Sequence, residues 1–356
     1  MTTITQPDET GVIVGVDTHK DGHVAVAVDQ RGARLGQYHL PATVDGHAGL
    51  RTWALTFGPV VAFGVEGTGS YGAGLSRFLT QHGHAVVEVN RPDRAVRRRV
   101  GKSDPIDAEM AARSVLAGVA TGRPKSGDDR VEMIRMLKVA RDSAVRARTQ
   151  ALNQIKAIVV TAPVELRASL AGLPTPQLVV RCLAFRPGKL VTPAAAGKHA
   201  LRSLARRYDQ LGRERTELTA QLDSLTAVTA PKLRAVFGIG VDGAATLLVA
   251  AGDNPERLRS EAAFAALCGT NPVPASSGKT IRHRLNRGGN RQANATMHRV
   301  VVVRLRWHQP TRDYAERRTA EGKTKAEIMR CLKRYIAREV FAILRDIGEE
   351  NLTRAA

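Results

Sequence analysis

The sequence predicts an α/β domain followed by a mostly helical remainder, and three observations carry that prediction. Residues 11 to 90 hold short apolar runs bounded by turn residues, some with strand periodicity and some with helical periodicity. Beyond residue 127 the apolar positions recur at helical spacing over stretches longer than an ordinary globular helix. Hydrophobic residues make up 43% of the 356, enough for more than one core.

The elements follow in order. GVIVGVD, ending at Asp17, reads as a buried strand. GHVAVAVD follows after THKD as a second strand, QRGARLG is a turn, and QYHLPA is a third strand, which together make an antiparallel meander. DGHAGLRTWAL reads as a helix capped by Asp45. VVAFGVE is another buried strand ending at Glu66, YGAGLSRFLTQHG a helix closed by Gly83, and HAVVEVN a strand. KSDPIDAEMAAR reads as a helix start, with the helix running from Asp107 to about Ala117 before Gly118. Three antiparallel strands followed by β-α units is the order of a ribonuclease-H-like fold.

Downstream, residues 128 to 160 read as one long helix with Met133, Met136, Leu137 and Ala140 on its packing face. Pro163, Pro174, Pro176 and Pro187 break the segment that follows, and residues 197 to 228 form a second long polar helix. The two long helices suggest an antiparallel coiled-coil arm. PKLRAVFGIGVDGAATLLVAAGD places a tight turn, with Gly238 and Gly240, between two apolar helices. It resembles a helix-hairpin-helix, whose backbone N–H groups grip a phosphate. A last amphipathic helix spaces Ile328, Leu332, Tyr335, Ile336, Val340, Ile343 and Leu344 on one face. The resulting domains are 1–126, 127–228 and 229–356.

Charge points to the partner. There are 54 Lys and Arg against 33 Asp and Glu, a formal net charge of +21. Such an excess suits a polyanion, because each neutralised phosphate releases counterions. The charge clusters at Arg91, Arg94, Arg97, Arg98, Arg99 and Lys102, and again at Lys279, Arg282, Arg284, Arg287 and Arg291. Cys182, Cys268 and Cys331 are far apart and lack metal-binding spacing, so they read as reduced thiols. MTTITQPDET lacks the basic-then-apolar order of a secretory signal, and no stretch reaches the roughly 20 apolar residues of a membrane span. The protein is expected to be soluble and intracellular, with no membrane partner.

Four acidic residues carry the chemistry. Asp17 and Glu66 end apolar strands, and Asp104 and Asp107 lie one helical turn apart. A carboxylate at a buried strand end is costly without a compensating charge. The set is suited to one or two divalent cations, magnesium first and manganese second, and so to phosphodiester chemistry. GTGSYG, with Gly67, Gly69 and Gly72, matches a dinucleotide-binding pattern, but it follows the meander rather than the first strand and carries Glu66, which would repel a pyrophosphate. SSGKT resembles the end of a phosphate-binding loop, but Val273 stands where that loop needs glycine. Ser276 and Ser277 sit in an arginine-rich turn, where a serine attacking a phosphate is chemically reasonable. His19, His283 and His298 have no triad spacing and read as structural or phosphate contacts.

GVDTHKD, VEGTGSYG, KSDPIDAEMAAR and CGTNPVPASSGKTIRHRLNRGGNRQAN resemble the DEDD-type transposases of bacterial insertion sequences. That family includes Piv-type DNA invertases and bridge-RNA-guided recombinases. The resemblance covers nearly the whole chain. It implies a RuvC-like N-terminal domain whose metal-binding acids fall on Asp17, Glu66, Asp104 and Asp107, then a coiled-coil arm and a C-terminal transposase domain with a nucleophilic serine. Gly269 and Pro272 set the register that puts the nucleophile at Ser277, while Thr270 departs from the usual apolar residue. It further implies double-stranded donor and target DNA, a structured guide RNA, homodimers assembling into a homotetramer, and a cytoplasmic, nucleoid-associated location. An alternative is a metal-dependent junction-resolving nuclease that uses only the carboxylates. A non-catalytic nucleic-acid-binding protein is disfavoured, because four clustered carboxylates would repel the polyanion.

Overall fold

The computed structural model describes residues 11–89, 103–254, 257–278 and 283–355. The chain divides into two compact units, Met1–Asp129 with Ala251–Arg259, and Arg130–Ala250 with Ser260–Ala356.

The first unit is built on β1 (Val12–Thr18), β2 (Gly22–Val28), β3 (Arg34–Pro41), α1 (Val44–Leu55), β4 (Val60–Glu66), α2 (Ala73–Gln81), β5 (Val86–Val89) and α3 (Asp104–Leu116). The strands form one sheet in the order β3-β2-β1-β4-β5. β1, β2 and β3 pair antiparallel, whereas β4 pairs parallel with both β1 and β5. This mixed sheet fits the ribonuclease-H-like expectation. Alternation along β1 sends Val14 and Val16 to one face, where they meet Phe63, Val65, Leu50, Leu75 and Leu79 beneath α1 and α2. Ile13 faces the other side, where with Val26 and Val28 it meets Ala108 and Ala112 of α3.

Gly15 explains how closely α3 sits. A Cβ there would lie 1.9 Å from the Ala108 carbonyl oxygen and 2.4 Å from the Ala112 nitrogen. Only a residue without a side chain lets the helix backbone press onto the strand. Two local expectations need correction. The cap of α1 is Thr43, whose hydroxyl accepts from the Gly46 N–H at 3.2 Å, and Asp45 lies inside the first turn. α3 starts at Asp104 rather than Asp107, with Ser103 as N-cap and Pro105 in its first turn.

Residues 251–259 belong to this unit although they come far later in sequence. Asn254 accepts from the Ser126 N–H and donates to the Pro124 carbonyl, while Arg259 donates to the Thr121 carbonyl. The strapped segment in turn bridges the edge of β5 through Gly122 and Glu88.

The second unit contains α4 (Arg130–Thr161), α5 (Val164–Ala168), α6 (Thr175–Leu183), α7 (Pro193–Thr229), α8 (Pro231–Ala235) and α9 (Val241–Ala251). After them come α10 (Glu261–Leu267), β6 (Pro272–Pro274), β7 (His283–Leu285), α11 (Arg291–Trp307), α12 (Gln309–Ala320) and α13 (Lys325–Ala355). α4 and α7 run antiparallel: Ile155 packs with Leu201 and Ala205 at the tip, Arg148 stacks on Tyr208, and Arg141 reaches Thr219. The buried residues of α4 are Val131, Ile134, Lys138, Ala144, Ala151 and Ile155. Met133, Met136 and Ala140 are exposed, so the packing face expected from spacing is rotated. α13 buries Ile328, Leu332, Ile336, Val340 and Leu344 as expected, but Tyr335 is exposed and stands edge-on to Tyr314.

Candidate functional site

The acidic residues converge because of strand register. Gly15 pairs with Gly64 and Val16 with Val65, so Asp17 and Glu66 end neighbouring parallel strands at the same level. By alternation both lie on the face covered by α3. The first turns of α3 carry Asp104 and Asp107 over that point, since Ala108 already rests on Gly15. Asp17, Glu66 and Asp107 are buried, while the Asp104 side chain is about half exposed at 47%.

The electrostatics are those of a cluster short of positive charge. Burial raises the Asp17 carboxyl above its ordinary range, His19 pulls it down, and the Asp107 and Asp104 carboxylates push it up again. His19 was expected to be a structural or phosphate contact. Its Nε2 lies 3.3 Å from Asp17 Oδ2 and 3.4 Å from Asp104 Oδ1. One atom from each of Asp17, His19 and Asp104 falls within 4.8 Å of the others, a set able to hold a metal ion. Cis ligands around an ion at about 2.1 Å sit roughly 3 Å apart, so little movement would bring these atoms onto a common centre. His19 follows the strand in a loop and has no periodicity to mark it; its spacing of two from Asp17 is the only sequence signal.

Ser276 and Ser277 are exposed in the connection between β6 and β7, just before Gly278 at φ +54. The β6–β7 hairpin is a feature the sequence reading did not anticipate. Its base is fastened by amides: Asn286 donates to the Asn271 side chain at 2.6 Å, and Asn294 of α11 donates to the Cys268 and Gly269 carbonyls at 2.8 and 2.9 Å. Thr270, the departure from the family pattern, is buried and its hydroxyl donates to the Ala265 carbonyl at 3.2 Å. A threonine therefore fits here without leaving its hydroxyl unpaired. Arg284 lies on β7, Arg287 follows it, and Arg291 opens α11; all three are exposed. Lys279 and Arg282 lie outside the described residues, as does the whole cluster of Arg91, Arg94, Arg97, Arg98, Arg99 and Lys102.

Gly238 adopts φ +90 against Val300, and Gly240 precedes α9 in open space. The helix before this turn, α8, has only five residues. Asp242 in the first turn of α9 pairs with Lys138 and Arg141, each at 2.8 Å, and with Arg299 at 3.1 Å. Burial disfavours its charge, yet the Lys138 hydrogen bond and these cations hold its carboxyl below the ordinary range. His283 is exposed on β7. No described helix is long and apolar enough to cross a membrane.

Two family models match the chain, and both are described as transposases. One, described as a transposase and bearing the DEDD and IS110 designations, matches residues 14–162. The other, the transposase IS116/IS110/IS902 family, matches residues 230–316. The chain is also 33% identical over 147 residues to an uncharacterized 43.6 kDa protein of insertion element IS110 from Streptomyces coelicolor. That alignment covers 40% of this chain and 36% of the relative's length. Over both matched regions the chain is similar to IS110-type DEDD transposases.

Proposed function

We propose that the protein is a DNA recombinase that moves an insertion element, cutting and rejoining DNA at the four-carboxylate centre with Ser277 as nucleophile. The observation that carries this reading is the convergence of Asp17, Glu66, Asp104 and Asp107 at one end of the sheet. A magnesium or manganese ion held there, with His19 as an added nitrogen donor, would supply Lewis-acid stabilisation of charge on the scissile phosphate. Asp17 and Glu66 are held by the strand backbones, and Asp104 and Asp107 by α3, so little rearrangement would be needed to receive a dication.

Ser277 then attacks phosphorus through Oγ. The bond from phosphorus to the departing sugar oxygen breaks, that oxygen takes up a proton, and the strand stays joined to Ser277 as a phosphodiester. Attack by a second sugar hydroxyl restores the serine and joins the new strands. Lys279, Arg282, Arg284, Arg287 and Arg291 hold phosphates near the hydroxyl, and the turn at Gly238 and Gly240 grips another as a helix-hairpin-helix. The RuvC-like domain spans 1–126, the coiled-coil arm 127–228 and the transposase domain 229–356. A structured guide RNA rides on the arm and on the cluster from Arg91 to Lys102. Homodimers assemble into a tetramer in which one protomer's carboxylates serve another's serine domain.

The test is recombination of an element end by purified protein, with covalent adducts trapped and mapped by mass spectrometry. Asp17→Asn and Asp104→Asn should abolish recombination and keep nucleic-acid binding, since losing negative charge does not weaken phosphate contacts. Full activity of either variant in magnesium would overturn the metal site. One observation favours a second reading, a junction-resolving nuclease: all four carboxylates lie in one compact unit and Ser277 in the other. Cleavage without any protein–DNA adduct would select it.

A further inference from the structure

A cavity of about 680 Å³ lies in the second unit between the β6–β7 hairpin and α13. Its walls include Arg284, Lys323, Arg330 and Lys333, and none of these four forms a salt bridge among the described residues. Among the described residues the one carboxylate lining it is Glu327, which accepts from the Thr324 N–H and hydroxyl at the start of α13. Arg334 and Arg338, also in the wall, are matched by Glu261. The cavity therefore keeps an excess of cations facing one space.

Lys333 is the telling residue. It is 9% exposed, and its Nζ donates at 2.8 Å to the neutral amide oxygen of Asn294. A buried ammonium with no carboxylate partner is expensive, and an anion in the cavity would offset that cost. Burial and the neighbouring Arg330 both work against its charge, and among the described residues no carboxylate pairs with it. Asn294 is the same residue whose Nδ2 holds the Cys268 and Gly269 carbonyls at the root of the serine hairpin. A ligand on Lys333 is thus one side chain away from the backbone that carries Ser277. Lys323, Arg330 and Lys333 all lie beyond residues 230–316, where the second family model matches.

We propose that this cavity is a binding site for the phosphodiester backbone of a nucleic-acid strand, with Lys333 and Arg330 as its ligands and Asn294 as the positioning residue that couples it to the serine hairpin. The inference rests on the proposed recombinase function and adds α13 to the nucleic-acid surface. Phosphate is the ligand class because Arg284, Lys323, Arg330 and Lys333 line the space, and arginine and lysine are the usual partners of phosphate oxygens.

Cys331 supplies a native reporter. It lines the cavity and is half-buried, whereas burial pushes the Cys182 and Cys268 thiols up to about 11 and about 12 and keeps them unreactive. The experiment measures maleimide alkylation of Cys331 in the full chain by mass spectrometry, with and without a DNA oligonucleotide or an RNA of equal length. Binding is followed in parallel by fluorescence anisotropy. At ligand in tenfold excess over Kd, alkylation should slow roughly tenfold. The arm that protects identifies which nucleic acid occupies the cavity. Arg330→Gln, an exposed change, and Lys333→Met should each restore the alkylation rate and reduce the salt slope of binding by about one. Thermal melts report whether either variant is folded. If both nucleic acids bind and neither slows Cys331, the inference fails while the proposed function stands. If neither binds, both fail.

Discussion

Asp17 and Glu66 stand on two interior strands of a five-stranded sheet, whereas Ser277 stands between two strands of three residues each. Asp17 and Glu66 inherit their positions from a ladder buried on both faces. Ser277 inherits its position from amide side chains at the hairpin root and is itself exposed. A metal centre needs several charges held to a fraction of an ångström, and a sheet delivers that. A nucleophile that must meet a large substrate needs access, and a loop delivers that. The two parts of the proposed chemistry should therefore fail differently when altered.

The largest effect is expected at Gly15. Gly15→Ala drives a methyl group into the Ala108 carbonyl and the Ala112 nitrogen, which are backbone and cannot step aside. α3 must lift from the sheet, taking Asp104 and Asp107 with it. A cost of about 3 kcal/mol or more is expected, with loss of manganese binding measured by titration calorimetry. Gly69→Ala, where a Cβ meets nothing within 4 Å, is the matched control and should change neither. Equal melting temperatures for the two variants would refute the close-packing account.

Ser277→Ala should do the opposite, removing the covalent DNA adduct while leaving the melting temperature unmoved, because the side chain is exposed. Ser276→Ala should be much milder on activity. An adduct mapped to Ser276 would reverse the assignment.

Between these extremes lies Asp242, which ties α9 to α4 and α11 through Lys138, Arg141 and Arg299. Asp242→Asn leaves Lys138 with Asp142 alone, at 3.0 Å, and should cost about 2–3 kcal/mol in denaturant melts. Adding Lys138→Met should recover much of the loss, since the buried ammonium then disappears. The Asp242 carboxyl is depressed in the folded state, so its contribution is present above the unfolded carboxylate value near 3.8 and is lost as pH falls through the folded value. The stability gap between Asp242→Asn and the parent should therefore close in acid. A gap that stays constant from pH 6 to pH 2 would show that charge is not its origin.

The same division governs what the sequence revealed. Asp17 and Glu66 were legible because a continuous apolar run marks a buried strand and an acid at its end breaks the run. The outward turn of Met133 and Met136 was not, because the face a long helix buries is chosen by its partner, here α7. Nothing in the sequence marks Lys138 and Lys333 as buried, and only tertiary structure shows it. The β6–β7 hairpin was hidden because three residues beginning and ending in proline carry no periodicity. His19 escaped because loops place side chains by geometry rather than by repeat.

The smallest expected effect tests whether the two units also differ in how local damage spreads. Thr43 caps α1 in the first unit and Thr192 caps α7 in the second, each accepting a helix N–H through its hydroxyl. Either threonine to alanine should remove about 1 kcal/mol, the usual worth of such a cap. α1 packs Leu50 and Ala54 into the main core beneath the sheet, so Thr43→Ala should lower the global melt of its unit. The start of α7 packs instead into a separate small cluster at the arm tip, with Ile155, Leu166, Leu178 and Leu201. That cluster is separate from the other cores, so it is expected to open locally. Thr192→Ala should therefore accelerate hydrogen exchange across residues near the tip while the melting temperature stays put. A melting shift as large as that of Thr43→Ala would mean that the arm unfolds together with its unit, and the contrast between a cooperative sheet and a locally stabilised arm would not hold.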